Sequence, residues 1–136
     1  MAQLIANAKT FFRSEDGVDR LARLGHRISG LGVVLFFLMH VVDTSFVYFW
    51  PQGYERTLRL FQSPFFLVGE IVLVVAVIYH GINGLRTALT DWSPHLRRHR
   101  QALTLGAFGL AALLAIPAVI IMGGHVWRVL QLMRGG

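Results

Sequence analysis

The run from Phe65 to Leu85 is almost wholly apolar, and a histidine, His80, sits inside it. Such a run is long enough to cross a bilayer, and an ionisable group within it is costly and rare. Val77, Gly84 and Thr87 share the helical face of His80, at spacings of three, four and seven. Gly81 and Gly84 remove side chains beside the imidazole, leaving room for a flat, bulky group. A neutral imidazole, apolar surroundings and close backbone approach are what axial ligation of a haem iron requires. The competing reading is a neutral histidine that hydrogen-bonds another helix. Six or seven residues separate His80 from the inner boundary near Arg86 or Thr87, which puts it roughly 10 Å below the inner surface.

His40 is a second histidine in an apolar stretch. Counted from Arg27 it lies roughly 20 Å below the inner surface. Two axial ligands of one upright haem need nearly equal depth, so His40 and His80 are not expected to share an iron. The second ligand to a haem at His80 would come from another protein. His40 would serve a separate outer haem or, on the plainer reading, pack against Asp43 or Thr44.

The segment Gly25-His26-Arg27-Ile28-Ser29-Gly30 lies at the inner mouth of the same stretch. As helix it aligns His26, Ser29, Val33 and His40. His26 and Ser29 donate hydrogen bonds and Arg27 offers a rigid cationic fork. That inventory suits a quinone carbonyl or a haem propionate. The vertical gap from His80 to Arg27 is on the order of 10 Å on this count, which matches the reach from iron to propionate ends. Snorkelling of Arg27 with capping by Ser29 is the alternative. Asp43 and Glu70 are expected as buried carboxylates near the outer ends of their spans. They would form either a proton path or an interhelical hydrogen-bonded pair.

These residues need membrane-spanning helices to hold them. The chain has 136 residues, 54% of them hydrophobic, and a mean hydropathy of +0.55. That composition points to a membrane protein. The expected architecture is all-α, one membrane-anchor domain over residues 1–136. Three apolar spans are expected at about 27–50, 64–87 and 103–127, after an N-terminal segment 1–24. Leu4, Ile5, Ala8, Phe11 and Phe12 recur there at helical spacing and predict a short interfacial helix. Met1 to Asp19 lacks a compact apolar core before a small-residue cleavage site, so no signal peptide is expected. Pro51 should stop the first helix after the aromatic belt Tyr48-Phe49-Trp50, with a helical turn possible in 51–63. Pro64 should start the second span, Asp91-Trp92-Ser93-Pro94 should end it, and Pro117 should kink the third. Gly106, Gly109, Ala111, Ala112 and Ala115 predict close helix packing.

The chain has no cysteine, so it holds neither a disulfide nor a cysteine-ligated cluster. Its net charge of +6 could suggest nucleic acid, but the placement of the charge argues against that. Lys9, Arg13, Arg20, Arg23, Arg27, Arg86, Arg97, Arg98 and Arg100 cluster on one side of the spans; Arg56, Arg59, Arg128 and Arg134 lie on the other. The positive-inside rule puts the N-terminus and the second connection on the cytoplasmic side. Arg97 to Arg100 read as a solvated basic cluster, and His125 as interfacial.

Two motifs taken together carry a resemblance. His26-Arg27-Ile28-Ser29-Gly30 opens the first span, and Tyr79-His80-Gly81-Ile82-Asn83-Gly84-Leu85-Arg86 with Asp91-Trp92 closes the second. The pattern resembles the cytochrome b membrane-anchor subunits of succinate dehydrogenase (the C subunits of complex II) and their fumarate reductase relatives. Met39-His40-Val41-Val42-Asp43-Thr44-Ser45 is similar to a bacterial branch that includes actinobacterial and thermophile enzymes. The resemblance implies a non-catalytic but redox-active subunit of a bacterial inner-membrane complex. A flavoprotein oxidises succinate, and an iron–sulfur subunit passes electrons to ubiquinone or menaquinone. The C subunit and a D-type partner share a haem b. Carried over, His80 is an axial ligand, His26, Arg27 and Arg86 contact propionates, Arg27 and Ser29 line the quinone site, and His40 fits relatives with a second haem. The chain departs from some relatives at Arg23, where they have a quinone-contacting serine, and at Thr87, where they have a propionate-binding histidine. Other classes stay open: a cofactor-free structural or assembly protein, or a proton-conducting subunit using Asp43 and Glu70.

Overall fold

The computed structural model describes Gln3 and residues 15–134. The chain runs through α1 (Glu15–Phe49), α2 (Pro51–Phe61), α3 (Pro64–Trp92), α4 (Pro94–Arg97) and α5 (Arg100–Arg134). Three breaks share one cause. Trp50, Ser63 and Ser93 each precede a proline and leave the helical region, with ψ of 74°, 149° and 113°. A residue before proline is pushed out of the α region, and proline at the first helical position gives up a donor that had no partner. Pro117 lies inside α5, which continues past it unbroken to Arg134.

Three stretches are long and apolar enough to cross a membrane: Gly17–Phe49, Pro64–Trp92 and Arg100–Arg134. The shortest has 29 residues, about 43 Å of helix against a hydrocarbon core of about 30 Å. The helices therefore project beyond the hydrocarbon. α3 is central and packs against α1 on one side and α5 on the other. Its contacts are more polar than its surroundings. Among the described residues only Val18, Ala22 and Ala111 are buried hydrophobic side chains, whereas Asp19, Ser29, Asp43, Asn83, Thr90 and Thr104 are buried polar ones. This is the arrangement expected where lipid, as apolar as leucine, surrounds the bundle and helices join through small residues and hydrogen bonds.

Several expectations change. The first helix begins at Glu15, well before Arg27. Most of the N-terminal segment assigned an interfacial helix, including Leu4, Ile5, Ala8, Phe11 and Phe12, lies outside the described residues. The connection at 51–63 holds the eleven-residue α2. Gly106 and Gly109 are exposed, and a methyl group at either would meet nothing within 4 Å. Of the small residues on α5, only Ala111 is buried within the chain.

Candidate functional site

α1 and α3 run antiparallel, and a ladder of polar contacts fixes their register. Asp19 meets Arg86, Asn83 donates to the Ala22 carbonyl at 3.4 Å, and His26 stacks on His80. The Tyr79 hydroxyl donates to the same Ala22 carbonyl at 3.0 Å. Gly25 permits that crossing, because a Cβ there would lie 2.8 Å from the Tyr79 oxygen.

The register places His80 level with His26. The expected vertical gap between His80 and Arg27 is absent. It came from setting the inner boundary at Arg27 on one helix and Arg86 on the other, whereas Arg86 is level with Asp19. His40, fourteen positions beyond His26, is about 21 Å further along the helix. It is exposed and stacks on Phe36 at 5.6 Å between ring centroids.

His80 occupies a defined seat. Its Nδ1 lies 3.2 Å from the His26 backbone carbonyl and 3.4 Å from Ser29 Oγ. A carbonyl only accepts, so this contact places the ring proton on Nδ1 and leaves Nε2 with its lone pair. Among the described residues no hydrogen bond reaches Nε2. Ser29, itself buried, donates to the same His26 carbonyl at 3.1 Å. The two imidazoles are parallel, 4.1 Å apart with 3° between planes. Two glycines make the seat. A Cβ at Gly30 would come 2.8 Å from His80 Cε1, and one at Gly84 would come 3.3 Å from His26 Cε1. His26 Nδ1 is buried without a hydrogen-bond partner.

The seat gives a prediction. Gly30→Ala should cost about 1–3 kcal/mol through overpacking against the imidazole. Gly32→Ala, where a Cβ meets nothing within 4 Å, should be neutral or slightly stabilising. Thermal unfolding of the two variants side by side checks this.

Below the seat lies a charged knot that the sequence reading missed in part. Asp19 accepts from Thr104 at 2.8 Å, from Arg86 at 3.5 Å and from Arg100. It joins α1, α3 and α5 at one end of the bundle. Asp19 is 3% exposed and Thr104 fully buried. Arg86 is thus spoken for inside the chain, although its Nε is buried without a partner. A buried arginine at a span end demands a carboxylate, and that demand was the available signal for Asp19. Arg27, by contrast, is exposed on α1, and its side chain makes no hydrogen bond among the described residues. The structure therefore brings His26, Ser29 and His80 together, holds Arg86 in a neighbouring knot, and leaves Arg27 and His40 on the outside.

Glu70 is exposed on α3 and does not pair with Asp43. Asp43 is buried with Oδ1 unpartnered, lining an apolar hollow of about 380 Å³ with Phe46, Phe61 and Phe66.

Two comparisons with known proteins agree with this architecture. The profile of a family described as the succinate dehydrogenase/fumarate reductase transmembrane subunit matches residues 20–122. The succinate dehydrogenase 2 membrane subunit SdhC of Mycobacterium tuberculosis is 35% identical over 122 residues, covering 88% of this chain and 87% of that protein. The match spans the His26–His80 seat, the Asp19 side of α1 to within one residue, and most of α5. With three apolar helices of spanning length, the chain is a multi-pass membrane protein that belongs to the succinate dehydrogenase/fumarate reductase transmembrane-subunit family.

Proposed function

We propose that the chain binds one side of a b-type haem through His80 and helps form a quinone site, so that electrons pass between an iron–sulfur subunit and membrane quinone. The observation that carries this reading is the seat of His80. Its Nδ1 is tied to the His26 carbonyl, which orients the ring, raises the basicity of Nε2 and keeps that nitrogen free for a metal. Apolar surroundings suit the same role, and Gly30 and Gly84 admit the two imidazoles that form the seat. A bound haem supplies one-electron exchange inside the hydrocarbon.

The other ligand to such a haem would come from a second, D-type membrane subunit. His26 cannot be that ligand, because its ring stacks face to face on His80 at 4.1 Å and leaves no space for a porphyrin between them. His40 is too far along α1, and its exposed position suits at most a separate outer site. Arg86 and His26 would neutralise the propionates of such a haem, with the buried, unpartnered Nε of Arg86 and Nδ1 of His26 as donors in reserve. Arg27 and Ser29 serve the quinone: Ser29 beside the histidine pair, and Arg27 from the exposed flank of α1, where a partner can close over it. In the whole complex a flavoprotein takes two electrons and two protons from succinate to give fumarate. Two electrons and two protons convert quinone to quinol. The chain carries out no chemistry on succinate. Its setting is a bacterial cytoplasmic membrane with the Arg86 end inward, as the basic residues favour.

The test uses the purified complex. A b-type alpha band on reduction is expected. Arg27→Ala should abolish most quinone reduction while the band remains. Loss of both together would make Arg27 a haem contact and remove it from the quinone site. A complex without a b-type band would return the histidines to a packing role.

A further inference from the structure

We propose that the hollow between the inner ends of α3 and α5 is a binding site for the phosphate headgroup of an anionic phospholipid. The proposal is independent of the haem and quinone reading. The hollow measures about 700 Å³ and is lined by Asp91 at the end of α3, by Arg97, Arg98, His99 and Arg100 in the connection, and by Asp19 at its base.

The charges there do not cancel. Three guanidiniums, Arg97, Arg98 and Arg100, line it against two carboxylates, Asp19 and Asp91, and Asp19 is also shared with Arg86. Arg97 folds back on the end of α3 and donates to the Thr90 and Asp91 carbonyls at 3.2 and 3.4 Å, which fixes one wall. Arg98 is exposed, and its side chain makes no hydrogen bond among the described residues. It is the free cation at the rim.

A basic recess between membrane helices at the cytoplasmic surface is the setting in which anionic headgroups are held. The walls continue as lipid-facing surface. Ala88, one turn from Asp91, and Leu105, one turn from Ala102, are exposed. Trp92, the last residue of α3 and next to Asp91, is 92% exposed, as aromatic residues at a membrane–water boundary are. A polar recess above an apolar flank fits a molecule with a phosphate at one end and acyl chains at the other. An acidic loop of a soluble partner would use the arginines and leave that flank bare.

Native mass spectrometry of the detergent-solubilised complex, with dioleoyl phosphatidylglycerol or dioleoyl phosphatidylcholine added, tests this. Wild-type complex should retain phosphatidylglycerol in preference to phosphatidylcholine. Arg98→Glu should reduce that retention about tenfold, a change of about 1.4 kcal/mol. Arg98→Gln should fall between them, and Arg134→Glu, at the opposite end of the bundle, should change nothing. The intact mass of the complex, read in the same spectra, should be unchanged in every variant apart from the substitution itself, showing that the subunits remain assembled. Equal retention of both lipids, or undiminished phosphatidylglycerol in Arg98→Glu, overturns the proposal. So does loss of a soluble subunit from Arg98→Glu with lipid retained, which would assign the recess to a protein partner.

Discussion

Asp19→Ala should destabilise the protein by about 3–5 kcal/mol, the largest stability effect of any substitution considered. The carboxylate is 3% exposed and accepts from three side chains on two other helices. Arg86 is nine-tenths buried with its Nε already unpartnered, and removing Asp19 would strand a full positive charge in a low-dielectric interior. Arg100 is half exposed and can turn to water; the cost therefore comes almost wholly from Arg86. Two comparisons isolate the cause. Asp19→Asn keeps an acceptor and should recover part of the loss. Asp19→Ala combined with Arg86→Leu removes the stranded charge and should recover more. Thermal unfolding of the complex reads all three, and additive losses in the double variant would show that the two residues act separately.

Replacing His80 should have the largest effect on function. Its Nε2 has no protein partner among the described residues, and its Nδ1 contact is to a backbone oxygen. His80→Ala should therefore remove bound haem, whereas His26→Ala should retain it, because the carbonyl that orients His80 survives the substitution. His26→Ala deletes the stacked ring and one reserve donor, so a shift in haem midpoint potential is expected with haem content preserved. His40→Ala should leave the His80 haem in place. Haem extracted per complex, measured for the three variants together, distinguishes a metal ligand from a packing histidine.

Much of this was legible in residue types. Apolar run lengths located three helices, and Pro51, Pro64 and Pro94 located their breaks, because proline acts on its immediate neighbour and needs no tertiary context. His26, Ser29 and His80 were picked out by being polar in apolar stretches, and the structure brings them together. Helix register was not legible. The depth of His80 relative to Arg27 depended on where each helix enters the membrane, and arginine is a poor marker of that point because its long side chain reaches upward from inside. Arg86 is buried in a knot, while Arg27 faces outward, and nothing local distinguishes the two. Asp19 was hidden for the same reason: its partners lie 67 and 81 positions away. The small-residue stripe on α5 was legible in part, since small residues mark a surface able to pack closely without naming its partner: Ala111 is buried against the chain's own helices, and Gly106 and Gly109 face away from them.

The measurement closest to the centre of this reading is the reduced-minus-oxidised absorbance spectrum of the purified complex carrying His80→Ala. With His80 as the iron's ligand, the b-type alpha band disappears while the membrane subunits still co-purify. A band of undiminished height in that variant contradicts the assignment.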